Sequence, residues 1–176
     1  MKIRFKQDKE IILRLLKTSN INRKLKILDK LNGADTGEKD NIKILLKVLE
    51  DSSWALREMA AYKLAKFGKR VVPRLEKLCI KGRWFTRASA CLSLGEIGEL
   101  KGLDSIIDIL LTDNNPTVIK EASHALVKIA QKTPLEFAKK LKEMTLNDAQ
   151  RLRILITLET IDTELYSKVI ETMENE

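Results

Sequence analysis

The chain repeats itself, and the repeat restricts the possible folds more than any other feature. WALREMAAYKLAKFG, Trp54 to Gly68, returns as WFTRASACLSLGEIG, Trp84 to Gly98, at an offset of 30 residues. PTVIKEASHALVKIA, Pro116 to Ala130, and DAQRLRILITLETID, Asp148 to Asp162, follow at two further offsets of 32. A period of this length marks an architecture in which each unit buries its apolar stripe only against its neighbours. Within each copy the small and apolar residues recur at steps of three and four, as at Ala60, Ala61, Leu64 and Phe67, which is the pattern of an amphipathic helix. A second apolar-periodic segment precedes each copy: Ile42 to Leu49, Val71 to Ile80, Leu103 to Leu111 and Leu135 to Met144. The unit is therefore a helical hairpin.

Punctuation agrees with this division. Gly68 and Gly98 stand where a helix end needs a left-handed residue, and Pro73 and Pro134 stand in the first turn of the next helix, where a missing N–H costs little. Asp51 and Asp113 are placed to cap the second helix or to bridge to a neighbouring turn. Seven Gly and three Pro among 176 residues are too few for the turns of a sandwich or barrel. The expected fold is all-α, a right-handed α-solenoid of about five hairpins in one domain. Residues 1–40 form an N-terminal capping hairpin, 41–162 four repeats, and 163–176 a C-terminal capping helix. The segment GADTGEKD, Gly33 to Asp40, is the longest expected loop.

DNNPTVIKEASHALVKIA and DSSWALREMAAYKLAKFG resemble HEAT repeats, whose second helix typically begins Asp-x-x-Pro-x-Val-Arg and continues with paired alanines, a leucine and a terminal Ile-Gly. The short period is similar to that of the HEAT-like repeats named after phycobilisome lyases. Departures are Trp54 and Trp84 in place of proline, Ile119 in place of arginine, and Lys81 in place of aspartate. The Asp–Arg ladder that joins repeats in this family is thus incomplete, and a large share of stability is not expected from it.

Reactive chemistry is scarce. One histidine and two cysteines exclude most metal sites and His-based relays, and Cys79 and Cys91 read as small buried hydrophobes. No Gly-rich phosphate loop occurs. No catalytic residue, metal, cofactor or small-molecule substrate is expected, and the chain is not expected to be an enzyme. A lyase or chaperone role for a bound chromophore has only the repeat type in its favour. The opening MKIRFKQDKE has no apolar core for a signal peptide, and no run is long enough to span a bilayer, so no membrane association and a cytoplasmic location are expected.

What remains is binding. The resemblance implies that second helices line a concave surface. There Tyr62, Leu92, His124 and Ile156 would form a row, flanked by Met59, Ser89, Glu121 and Arg153, by Lys63, and by Lys66, Glu96 and Lys128. Mixed apolar and polar side chains suit a segment of another protein. Charge offers an alternative. Residues 1–102 hold 24 basic and 12 acidic side chains, and residues 103–176 hold 9 and 13, so the net +8 is a charge dipole suited to steering an acidic partner. Its densest stretch, Lys66, Lys69, Arg70, Arg74, Lys77, Lys81 and Arg83 beside Trp84, is the composition of a nucleic-acid contact. A scaffold that binds a protein is favoured over a nucleic-acid-binding repair or replication accessory.

Overall fold

The computed structural model describes residues 5–31 and 38–175, with residues 5–8 described by backbone alone. Among these, eleven α-helices and two short 3-10 turns account for the regular structure, and no strand occurs. The chain is an all-α solenoid. In order the helices are α1 (Phe5–Thr18), α2 (Ile21–Lys30), α3 (Glu38–Val48), α4 (Trp54–Ala65), α5 (Val72–Lys81), α6 (Trp84–Ile97), α7 (Leu103–Thr112), α8 (Pro116–Lys132), α9 (Pro134–Glu143), α10 (Asp148–Ile161) and α11 (Thr163–Asn175). The second helices of the four copies are α4, α6, α8 and α10. Residues 38–40, the end of the expected loop, already belong to α3, and the rest of that loop lies outside the described residues.

Local sequence sets the helix ends. The Asn20 side chain accepts the Arg23 N–H, Asn115 accepts those of Thr117 and Val118 beside Pro116, and Asn147 and Gln150 form a reciprocal capping box. Gly98 closes α6 at φ 64°, a conformation that costs other residues energy, and Gly68 adopts φ 57° after α4. Asp51 and Asp113 do not cap directly. Their carboxylates accept the N–H of Ser53 and Asn115, two residues on, and turn outward to cations of the preceding unit.

The arginine position has a more regular role than a ladder between repeats. Arg57 donates to the carbonyls of Asp51 and Ser52, Arg87 to that of Gly82, and Arg151 to those of Leu141 and Met144. In three of the four copies, then, arginine ties down the turn of its own hairpin, satisfying carbonyls that a helix end leaves open. Links between units are added where the sequence allows. Arg87 forms a two-pronged pair with Asp113 at 2.6 and 2.9 Å, and Lys24 pairs with Asp51 at 2.9 Å. Lys81 cannot take the aspartate's part for Arg57. That guanidinium, only 4% exposed, instead lies over the rings of Trp54 and Phe85 and reaches Ser89 Oγ at 3.2 Å. Among the described residues one Asp–Arg rung, Arg87 with Asp113, joins neighbouring units, as the consensus positions imply, and other contacts stand in elsewhere.

Packing between helices is uneven. α6 and α8 are the most closely packed pair. The cause is Gly95: a Cβ there would lie 2.7 Å from Ala125 Cα, so only glycine permits the observed approach. Ala88, Ser89, Ala90 and Ser93 keep α6 slender along its length, and all are buried. Val127, 32 residues after Gly95, adds a side chain where α6 has none, and α10 packs much less closely on α8. Beyond α8 the closer pair is α9 with α11.

Candidate functional site

Three second helices, α4, α6 and α8, lie side by side, and the slender middle helix leaves a groove between its neighbours. The cavity measures about 190 Å³. Leu92 and Gly95 of α6 form its floor, Trp54, Glu58 and Tyr62 of α4 one wall, and Glu121, His124 and Lys128 of α8 the other. Tyr62, His124 and Lys128 are exposed, and Leu92 is half-buried. Five of the residues expected on the concave row and its flanks, Tyr62, Leu92, Glu121, His124 and Lys128, are thus brought together.

The other expected residues are placed differently. Ile156 is exposed on α10 and does not line the groove, because α10 is set back from α8 and its Arg153 reaches instead to the Leu111 carbonyl of α7. Of the four residues of the expected row, Tyr62, Leu92 and His124 line this groove. Met59 is half-buried. The Lys63 ammonium is committed to the carbonyls of Asp29 and Leu31 at the end of α2, at 3.0 and 3.3 Å, and its pKa is lowered by burial. Glu96 forms an ion pair with Lys128 between α6 and α8. Lys66 is exposed just past the end of α4, outside the lining.

Three lining residues, Trp54, Glu58 and Gly95, were not singled out from sequence for this face. Trp54 stands in place of the consensus proline and is 39% exposed. Glu58 is half-buried on α4. Its position one turn before Tyr62 on the same helix was the available signal. Glu121, on a flanking row of the expected surface, has its carboxyl pushed above the usual range, first by burial. The nearby cations of His124, Lys120 and Lys128 oppose that shift, and Glu58 adds to it.

The basic stretch occupies another part of the molecule. Lys69 and Arg70 lie in the 3-10 turn Gly68–Arg70, Arg74, Lys77 and Lys81 on α5, and Arg83 and Trp84 at the start of α6. All seven are exposed. Arg74, Lys77 and Lys81 share one face of the first helix, Arg70 pairs with Glu38, and Arg83 lies over Phe85, against whose edge Trp84 packs at 5.6 Å. Near Trp84 a larger open recess of about 620 Å³ runs along the hairpin turns, and Ile80 is 73% exposed on its rim. The charged groups at its base, Arg87 and Asp113, already satisfy one another. Cys79 and Cys91 are buried, free thiols, and a hydrogen bond with Cys79 together with burial pushes the Cys91 thiol well up, which suppresses its reactivity. No cluster of three metal-ligating side chains occurs among the described residues. No helix among them is long and apolar enough to cross a membrane.

No family model and no curated protein matches the chain. Among solved structures, the complex of CpcE and CpcF of phycocyanin lyase from Nostoc sp. PCC7120 is similar at 18% identity with a TM-score of 0.49, over 92% of this chain and 68% of that one. An engineered protein is similar at 17% identity with a TM-score of 0.44, over 96% of each chain. The likeness extends to the helical-repeat fold and transfers no residue's role. It does correct one expectation. The sequence argued against an enzyme, and the complex matched along most of this chain is that of a phycocyanin lyase, so the exclusion of enzymatic activity is withdrawn.

Proposed function

We propose that this chain is a HEAT-like repeat scaffold that binds a partner protein through the second-helix surface of α4, α6 and α8. On this view residues 41–162 act as four repeats of a single domain, capped by 1–40 and 163–176. The groove of Trp54, Tyr62, Leu92 and His124 is the observation that carries it. Exposed aromatic rings beside half-buried aliphatic and charged groups are the composition of an interface centre. The floor and walls stand on helices locked by Gly95 packing, so the surface is already formed before a partner arrives. Replacing Tyr62→Ala together with Leu92→Ala is expected to weaken capture of a specific partner at least tenfold while the fold persists by circular dichroism. Undiminished capture by a folded double variant would contradict it.

The second candidate is nucleic acid at α5, supported by the exposed cations there and by Trp84 beside them. Binding of duplex or single-stranded DNA would weaken steeply with salt and would be reduced by Arg74→Gln with Lys77→Gln. Absence of binding at 50 mM salt, a condition that favours electrostatic contact at a Debye length of roughly 14 Å, removes it.

A further inference from the structure

Within the groove, charge and shape narrow the occupant. Its volume of about 190 Å³ is below the roughly 300–1,000 Å³ of small-molecule pockets. One long side chain fills it. The side chains of Trp54 and Tyr62 line one wall, 39% and 45% exposed, and the Arg57 guanidinium already lies over the Trp54 ring. Two carboxylates approach from opposite walls, Glu58 from α4 and Glu121 from α8, and among the described residues neither forms an ion pair. The nearest lysine in the lining, Lys128, is occupied by Glu96. The Glu121 carboxyl is pushed up first by burial, with the like charge of Glu58 adding to it, and His124, Lys120 and Lys128 offset that shift only in part.

Resting on the partner-binding role proposed above, we propose that this groove receives a lysine or arginine side chain from a basic segment of the partner. The cation lies between the carboxylates of Glu58 and Glu121, with its alkyl stem against Trp54 and Tyr62. A cation over an aromatic face gains electrostatic attraction, and partial desolvation strengthens it. An acidic segment would instead add negative charge beside the carboxylates of Glu58 and Glu121. The net charge of +8 points the other way, toward an acidic partner. Beyond about 8 Å, however, that field is screened at physiological salt, so contact specificity is set by the groups lining the groove.

The test uses the full chain and a hexalysine peptide, with hexaglutamate titrated separately as the comparison, by isothermal titration calorimetry at about 0.15 M salt, where the net field is screened. Hexalysine is expected to bind one site in spite of the chain's positive charge, and hexaglutamate is not expected to bind the groove. Glu58→Gln combined with Glu121→Gln should weaken hexalysine at least tenfold. Asp108→Asn with Glu143→Gln removes the same charge from exposed positions outside the groove and should leave binding within twofold. No hexalysine binding, or equal loss in both variants, overturns the proposal. If Tyr62→Ala with Leu92→Ala still abolishes partner capture while the Glu58 and Glu121 variant captures normally, the groove remains the interface and only the cationic occupant is refuted.

Discussion

α6 and α10 occupy the same position in the second and fourth repeats and are both 14 residues long, yet they live in different surroundings. Nine residues of α6 are buried, against two of α10, Ile154 and Leu158. α6 is held between α4 and α8, whereas α10 lies loosely against α8 and leaves Leu152 and Ile156 more than half or half exposed. The close α6–α8 contact has glycine at 95, where a side chain would meet Ala125, and the corresponding residue of α8 is Val127. In a nearly one-dimensional array the stability of a unit is its own plus that of its neighbour contacts. The middle of this molecule should therefore be its most stable part, and the groove is built there.

The largest effect is expected where the middle is most demanding. Arg57→Ala would remove a buried guanidinium with three hydrogen bonds and two ring contacts. It should cost about 3 kcal/mol in urea unfolding, the loss expected when buried carbonyl acceptors lose a charged donor. A cost below about 1 kcal/mol would show that water replaces it readily.

Gly95→Leu comes next. Its side chain would enter the Ala125 backbone and must separate α6 from α8, at a cost of about 2 kcal/mol. Val127→Gly in the looser contact should not have the reciprocal benefit, since it also removes a buried side chain. Hydrogen exchange resolves the pair: with Gly95→Leu, the amides of α6 lose protection toward the level of α10. Retained protection in α6 would refute the role of close approach.

The ion pair between Arg87 and Asp113 gives a smaller, pH-dependent effect. Arg87 donates to the Asp113 carboxylate and holds its pKa below the usual range. A carboxylate with a depressed folded-state pKa adds stability that is fully present above the unfolded value of about 3.9 and is lost as pH falls through the folded value. Asp113→Asn should accordingly cost about 1–2 kcal/mol at pH 7 and much less near pH 3. An equal cost at both pH values would mean that the turn, not the charge, explains the loss. At the other extreme, Ile156→Ser on exposed α10 should change stability by less than about 0.5 kcal/mol.

Much of this arrangement was legible from residues alone. The 30 to 32 residue offset located the second helices, and Gly98, Pro73 and Pro134 marked ends that the structure confirms. Less legible was anything that depends on distance between repeats. A periodic row extends at constant spacing on paper, so Ile156 joined Tyr62, Leu92 and His124, although α10 packs much less closely on α8 than α6 does. Trp54 stood out in the sequence only as a departure from the consensus proline, and its place on the groove wall depends on which helix packs beside it. Arg57 lacks its consensus aspartate, and only the fold brings Ser89 and Phe85 within reach.

The central claim is that partner contact occurs on the α4–α6–α8 surface and not on the outer helices. A photocrosslinking amino acid placed at Tyr62, and in a parallel chain at Lys77 on α5, tests it most directly in cells. The groove account predicts a discrete crosslinked protein from position 62, suppressed by the Glu58→Gln and Glu121→Gln pair, and none from position 77. A discrete product from position 77 with none from position 62 would contradict it.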